Sequence, residues 1–362
     1  MKKVLHLITG LEPHGGAEKM LLKTLPYLKK TENMVCCIKG RGEIGKKLEQ
    51  RGVTVKYLNA KTRYSPGVIF RYRRVIKRYK PDIQVNYLIH ADLFGRIFGK
   101  MFGVKKMIAF IRNKHLDLPF LLKLDKWTSK KIDFFLFNSN AVKKFYIENL
   151  EIDGSKTKCI PNGIDLEKFN IEIDWQAKRK ELGLTENDFI IINVARLYES
   201  KRQIDILKAL KKLQNPNIKY LQVSIGDQEN VLKNFIKENN FENQVKFLGY
   251  RSDIIDLLKI SNLYISASTH EGMSNSLLEA MAASRPCLVS DIEENTELIE
   301  NKINGMTFRT KDYNDLVEKI HFSLKNFELM IKFGQKARET IEQDYDIKKI
   351  IAQLDQFLYT FI

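Results

Sequence analysis

The sequence predicts an α/β protein of two Rossmann-like, doubly wound parallel-sheet domains facing a central cleft. Three observations predict it. The chain has 362 residues, 44% hydrophobic and 29% charged, which at about 150 residues per domain is apolar material for two cores. Short apolar runs alternate with amphipathic stretches, and strand-then-helix repetition builds a parallel sheet covered by helices on both faces. The alternation breaks once, at Pro161-Asn162-Gly163 and the charged, poorly periodic Asp165–Asn187, and restarts at Phe189. That break separates a first domain, residues 1–165, from a second, residues 166–345.

The opening Met1-Lys2-Lys3 before Val4–Ile8 imitates a signal peptide. Its apolar run is short, contains His6 and leads into Glu12-Pro13-His14-Gly15-Gly16 without a small-residue cleavage site, so it reads as a first buried strand. Met34–Ile38, Val53–Leu58, Ile83–Tyr87, Met107–Ile111, Phe134–Phe137 and Lys158–Ile160 are further strands. Between them Ala17–Leu28, Ile44–Arg51, Val68–Tyr79, Leu93–Phe102 and Val142–Asn149 carry apolar residues at helical spacing. In the second half the strands are Phe189–Val194, Leu221–Ile225, Val245–Leu248, Leu263–Ser266 and Cys287–Ser290, each beside a helix. The last helix has a continuous stripe of Ile347, Ile350, Ile351, Leu354, Phe357, Leu358, Phe361 and Ile362, with Asp355 off it. Such a stripe needs a partner surface. Cys36, Cys37, Cys159 and Cys287 lack metal-ligand or redox spacing and read as small core hydrophobes in a reducing cytosol.

Lys+Arg 61 against Asp+Glu 44 gives a net charge of +17, which favours anionic ligands over cationic ones. Between Lys61 and Leu150, 20 Lys and Arg meet 6 Asp and Glu, so 14 of the 17 surplus charges sit in a quarter of the chain. In Val68–Tyr79 the stripe Val68, Ile69, Tyr72, Val75, Ile76 and Tyr79 leaves most cations on the opposite side. A plain solvated helix fits that pattern, and so does an anionic membrane surface or acceptor. Nucleic acid is not expected, because no recognised binding motif accompanies the charge. No run approaches the ~18 apolar residues of a membrane-spanning helix. The expected location is cytoplasmic, peripheral on the inner face of a membrane.

Ligands of parallel sheets bind at the carboxyl ends of strands, so the chemistry is expected in the loops that follow them. The first such loop ends in Gly15-Gly16 and opens a helix; paired glycines suit either backbone approach to a phosphate or a tight turn. In Val194–Lys201, Arg196 and Lys201 leave a strand end together, as a guanidinium fork and a point-charge ammonium for two phosphates, or as surface cations. In His270–Ala282, Glu271 sits in a loop and Glu279 in the first turn of a helix. They suit sugar hydroxyls and a ribose diol, with the amides around Ser274–Leu277 facing a diphosphate. Alternatively, Ser276-Leu277-Leu278-Glu279 is a capping box. Gly226, Tyr250 and Arg251 lie in strand-to-loop turns that wall a base pocket or simply turn.

Taken together, Gly15-Gly16-Ala17-Glu18, Ile160-Pro161-Asn162-Gly163-Ile164-Asp165, Arg196 with Lys201, and Glu271 to Glu279 followed by Ala280-Met281-Ala282 resemble glycosyltransferase family 4 over nearly the whole chain. The resemblance implies a retaining, nucleotide-sugar-dependent enzyme of the GT-B fold, whose last helix, residues 346–362, crosses back to the first domain. It further implies that Arg196 and Lys201 bind the donor diphosphate, Glu279 the ribose and Glu271 the donor sugar. The backbone of Met273, Ser274, Asn275, Ser276 and Leu277 would cover phosphates and sugar, Gly16 would close the donor site, and the base would lie near Gly226, Tyr250 and Arg251. Where many members have a histidine–glycine pair, this sequence has Arg112-Asn113, with His115 beyond. Arg112 and His90 are the acceptor-side candidates.

Retaining transfer here needs no hydrolase-type carboxylate pair. Front-face substitution is expected, the departing phosphate oxygen accepting the acceptor proton. No Asp-x-Asp pair stands at a strand end, so neither metal nor cofactor is expected beside the nucleotide-sugar co-substrate, which is expected to be UDP-linked. The expected acceptor is a lipid-linked diphosphate saccharide of surface polysaccharide assembly. A nucleotide-sugar epimerase of the same fold, acting on the donor without an acceptor, is the alternative.

Overall fold

The structure is a computed structural model and describes residues 1–13, 15–60, 66–114 and 119–361. His14, His115 and Ile362, singled out above, lie outside the described residues. Contacts divide the chain into two units, Met1–Gly163 with Ile347–Ile362, and Ile164–Asp346.

The first unit runs β1 (Lys2–Ile8), α1 (Gly16–Thr24), β2 (Thr31–Cys37), α2 (Glu43–Gln50), β3 (Thr54–Tyr57), α3 (Pro66–Tyr79), β4 (Ile83–Tyr87), α4 (Ile89–Phe102), β5 (Lys106–Ile111), α5 (Pro119–Thr128), β6 (Phe134–Phe137), α6 (Asn140–Leu150) and β7 (Thr157–Cys159). All pairings are parallel, in the order β3-β2-β1-β4-β5-β6-β7. Alternation along β1 sends Val4 and Ile8 into one core, with residues of α1 and α2, and Leu5 and Leu7 into the other, with residues of α3, α4 and α6. The same alternation parts the adjacent thiols, Cys36 to one core and Cys37 to the other. Cys159 departs from its core reading: it is half-buried on the edge strand β7.

Several boundaries move for local reasons. Helix α1 stops at Thr24 rather than Leu28, because Pro26 confines Leu25–Tyr27 to a single 3₁₀ turn. Helix α4 begins at Ile89, four residues before Leu93, bringing His90 into its opening turn. Helix α5 was not anticipated. Its innermost residues include Asp125 and Thr128, polar groups that hide the helical period, and they are satisfied by Arg96, which bonds Asp92, Asp125 and Thr128 while fully buried.

The second unit contains α7 (Trp175–Glu181), β8 (Phe189–Val194), α8 (Gln203–Leu213), β9 (Ile218–Val223), α9 (Glu229–Glu238), β10 (Val245–Phe247), α10 (Ile254–Ile260), β11 (Leu263–Ser266), α11 (Asn275–Ala282), β12 (Cys287–Ser290), α12 (Glu293–Thr296), β13 (Met306–Phe308), α13 (Tyr313–Lys325) and α14 (Phe327–Asp344). Its sheet is again parallel, ordered β10-β9-β8-β11-β12-β13. β13, of three residues, escaped the sequence reading. Strand β9 starts and ends before the expected Leu221–Ile225, because Ser224 leaves it at φ +100° and pairs antiparallel with Gly249. Between residues 164 and 187, Phe169 and Leu184 are buried in this unit's core.

Helix α15 (Ile347–Thr360) packs on the first unit, burying Ile350, Leu354, Phe357 and Leu358 in the core that holds β1 and β2. Asp355, off the apolar stripe, is buried at its margin and accepts the backbone N–H groups of Lys29 and Lys30 at 2.9 and 3.1 Å. Both units are therefore doubly wound parallel sheets, as the alternation predicts.

Candidate active site

The order of the second sheet sets the site. From β8 the chain moves outward through β9 and β10, then returns to the other side of β8 for β11, β12 and β13. The carboxyl ends of β8 and β11 thus diverge at a topological switch point, where loops part and leave room for a ligand. The loop after β8 carries Arg196 and Lys201; the loop after β11 carries Glu271 and leads into α11.

Two hydrogen bonds to one carbonyl lock these loops together. Thr269 donates its N–H to the Ser200 carbonyl at 2.9 Å, and its hydroxyl bonds the same oxygen at 3.3 Å. Their result is an ion pair: Lys201 Nζ lies 2.5 Å from Glu271 Oε1, with the side chains 20% and 14% exposed. Ser268 Oγ donates to that same Oε1 at 2.8 Å. A partly buried pair of this kind is held more firmly than a surface one, because screening water is scarce and a third group fixes the carboxylate. Arg196 is held otherwise. Its Nη1 donates to Tyr198 Oη at 3.2 Å and its guanidinium lies 4.9 Å from that ring's centre, while Gln203 Nε2 donates to its carbonyl at 3.1 Å. Tyr198 and Ser268 were missed in the sequence. A tyrosine two residues after a loop arginine was the available signal for the first; the second depends on a fold-made contact.

Gly226 supports the same loop from below. A Cβ there would stand 2.6 Å from the Leu197 nitrogen, so only glycine lets the turn after β9 press against the backbone that carries Arg196. It is a packing position. Tyr250 is 51% exposed beyond β10. Arg251 is otherwise engaged: it bonds Asp253 at 2.8 and 2.5 Å and Glu181 at 3.1 Å. The Asp253 contacts, with those of Glu181, push the Arg251 guanidinium further up. These contacts hold the Arg251 side chain in an ion network at the turn after β10.

Helix α11 is capped by Ser274, whose Oγ accepts the Leu277 N–H at 3.3 Å. The expected capping box at Ser276–Glu279 is not formed. Ser276 already lies within the helix, bonding Tyr264 Oη at 3.0 Å and Ser274 Oγ at 3.2 Å, and Glu279 falls in the second turn rather than the first. Met273 and Leu277 point into the core, and the Leu277 amide is taken by the cap. Asn275 opens the helix and Glu279 is half-buried along it.

In the first unit the switch point falls between β1 and β4. Gly15 is the N-cap of α1 and Gly16 its first residue; a Cβ at Gly15 would collide with the carboxyl of Glu18. His90 is exposed in the first turn of α4. After β5, Arg112 Nη2 donates to Asn162 Oδ1 at 2.7 Å, and burial pushes its guanidinium down to about 10 against the opposing charges of Tyr87 and Glu18. Three buried oxygens at the carboxyl ends of β1, β5 and β6 have no hydrogen-bond partner among the described residues: Thr9 Oγ1, Asn113 Oδ1 and Asn138 Oδ1. Such groups cost free energy until a ligand or water satisfies them.

Residues 14–168 match the family described as Glycosyltransferase Family 4, and residues 174–340 the family described as Glycosyl transferases group 1. The chain is 31% identical over 257 residues to the UDP-Gal:alpha-D-GlcNAc-diphosphoundecaprenol alpha-1,3-galactosyltransferase of Escherichia coli, covering 67% of this chain and 66% of that one. Two further relatives, from Methanocaldococcus jannaschii and Bacillus anthracis, are spanned over 58% and 53% of their length. Similarity at 26% identity runs over 97% of both chains with the N,N'-diacetylbacillosaminyl-diphospho-undecaprenol alpha-1,3-N-acetylgalactosaminyltransferase of Campylobacter jejuni. Among solved structures, Anabaena HepE in complex with UDP-glucose matches all of both chains with a TM-score of 0.89 at 22% identity. Staphylococcus aureus TarM matches 99% of both at 0.79 and 14%. These two likenesses establish the fold.

Proposed function

The chain belongs to glycosyltransferase family 4, and from that premise we propose that it moves a sugar from a nucleoside diphosphate, uridine diphosphate by preference, to a lipid-linked diphosphate saccharide. Transfer proceeds with retained anomeric configuration and without a metal ion. The Lys201–Glu271 pair beside Arg196 at the β8/β11 switch point carries the reading. The nucleotide in the HepE complexes and the diphosphoundecaprenol in the E. coli relative's name support the choice of donor and acceptor.

In this reading the donor's diphosphate meets Arg196, Lys201 and the amino end of α11. Negative charge grows on the departing phosphate oxygen as the sugar–oxygen bond lengthens, and two fixed cations stabilise that charge more than they stabilise the bound donor. The same oxygen takes the acceptor's proton, so attack and departure share one face of the sugar. Glu271, which already accepts from Lys201 and Ser268, keeps the ammonium aimed and uses its remaining lone pairs for a sugar hydroxyl. Glu279 holds the ribose diol and Tyr250 flanks the base, while Gly226 serves by holding the Arg196 loop. On the first unit, Arg112 and His90 serve the acceptor, and the unpartnered oxygens of Thr9, Asn113 and Asn138 meet its hydroxyls. The surplus charge of this unit keeps it near anionic lipid.

A transfer assay with a UDP-sugar panel and a diphosphate-linked saccharide tests the reading. Arg196→Ala is expected to lower kcat by 10²–10³-fold, about 2.7–4 kcal/mol, with a much smaller change in donor KM, and activity is expected to persist in chelator. Equal loss of both parameters reduces Arg196 to a binding residue. Donor turnover without any acceptor contradicts the transferase and indicates an epimerase.

A further inference from the structure

Among the described residues, helices α3, α4 and α5 expose no carboxylate of their own. Helix α3 contains no acid; α4 and α5 contain one each, Asp92 and Asp125, and both are buried on Arg96. Cations are plentiful. Helix α3 alone exposes Arg71, Arg73, Arg74, Lys77 and Arg78, and Lys100, Lys123 and Lys126 extend the charge over its neighbours. Lys100 and Lys126 pair with Asp133 and Glu151, which lie outside the three helices.

Large apolar side chains stand among these cations. Phe70 is 72% exposed, Met101 64%, Phe120 75% and Trp127 74%, with Ile97 at 40%. Their spacing is orderly: Phe70, Arg73, Arg74 and Lys77 follow one stripe of α3, and Phe120, Lys123 and Trp127 follow one stripe of α5. Helix α3 packs beside α4, and α4 beside α5, on a single face of the sheet, so both kinds of side chain share one surface. Bare aromatic groups ringed by cations fit the headgroup zone of a bilayer, where rings enter the acyl boundary and cations meet phosphates. A second copy of the face would bring cation against cation, and nucleic acid would leave the aromatic groups uncovered.

We propose that this α3–α4–α5 face seats the first unit on an anionic lipid bilayer, with Phe70, Phe120 and Trp127 entering the interface. The inference rests on the reading that the acceptor is carried by lipid, and names the surface that meets the membrane.

The chain has two tryptophans, so Trp175→Phe leaves Trp127 as sole reporter. With vesicles of phosphatidylglycerol and phosphatidylcholine its emission shifts to the blue, and brominated acyl chains quench it; pure phosphatidylcholine does neither. Joint Phe70→Ser and Phe120→Ser substitution weakens partition at least tenfold at an unchanged melting temperature. Joint Arg73→Gln, Arg74→Gln and Lys77→Gln substitution flattens its dependence on salt. Absence of partition overturns the proposal, as does partition with Trp127 unquenched, or a dimer or acidic-protein complex that buries the face while vesicles do not. Transfer to a short-chain, water-soluble acceptor without vesicles reads the functional assignment separately: its failure beside intact Trp127 quenching rejects the acceptor and leaves the face standing.

Discussion

Lys201 and Glu271 stand 70 residues apart in sequence and 2.5 Å apart in space. Both were legible as charged residues in loops after strands. Their partnership was not, because it depends on Thr269 bonding the Ser200 carbonyl, which only the folded sheet arranges. A double-mutant cycle measures what that adds. Lys201→Ala and Glu271→Gln each lower kcat, and the double variant loses less than the product of the two, since each single change already strands the other's partner. Independent multiplication would mean that the residues act on the substrate separately. Arg251, a residue type suited to a ligand, pairs with Asp253 two residues on and with Glu181 70 residues away, a partner that only the fold brings to it. Elsewhere His6, buried between Tyr87 Oη at 3.0 Å and Asn33 Oδ1 at 2.9 Å, is pushed down to about 4 by burial. The unfolded ring takes a proton near 6.5 and the folded one near 4, so its stability is present above 6.5 and is lost as the pH falls between those values. Thermal melts should show roughly 2 kcal/mol lost by pH 5 from this group, and His6→Gln should remove that portion of the slope.

At the scale of elements, apolar period was a sound guide wherever the buried side was apolar. It found α3, α15 and every strand of more than three residues, with ends shifted by Pro26 and by the left-handed turn at Ser224. It failed at α5, whose inner side is polar, and at the cap of α11, where two serines compete and Ser274 is the one whose oxygen reaches the Leu277 amide. Helix α15 illustrates what a stripe omits. Its apolar residues supply burial, while Asp355 fixes its register by accepting two main-chain N–H groups. Asp355→Ala leaves those donors unsatisfied and is expected to cost about 1–3 kcal/mol, read as a lower urea midpoint with the slope unchanged. No loss of stability would make the stripe alone sufficient to dock the helix.

For the whole molecule, composition and alternation led to two parallel-sheet units, and the order of each sheet then fixed where loops diverge. Strand order could not be read from the strands themselves, which are alike in apolar character; it follows from which crossovers pack. The surplus charge was plain in the sequence, but its meaning depended on the fold, which buries Asp92 and Asp125 and lays α3, α4 and α5 side by side. The proposed function rests on the loops where β8 and β11 end. Melting the intact chain with a panel of uridine, guanosine and adenosine diphosphate sugars tests that claim most directly, because a ligand bound to the native state raises the melting temperature. One donor should raise it, and Lys201→Ala should abolish the rise without lowering the ligand-free melt by more than a few degrees. A panel that shifts nothing, or a shift that survives Lys201→Ala undiminished, would contradict the account.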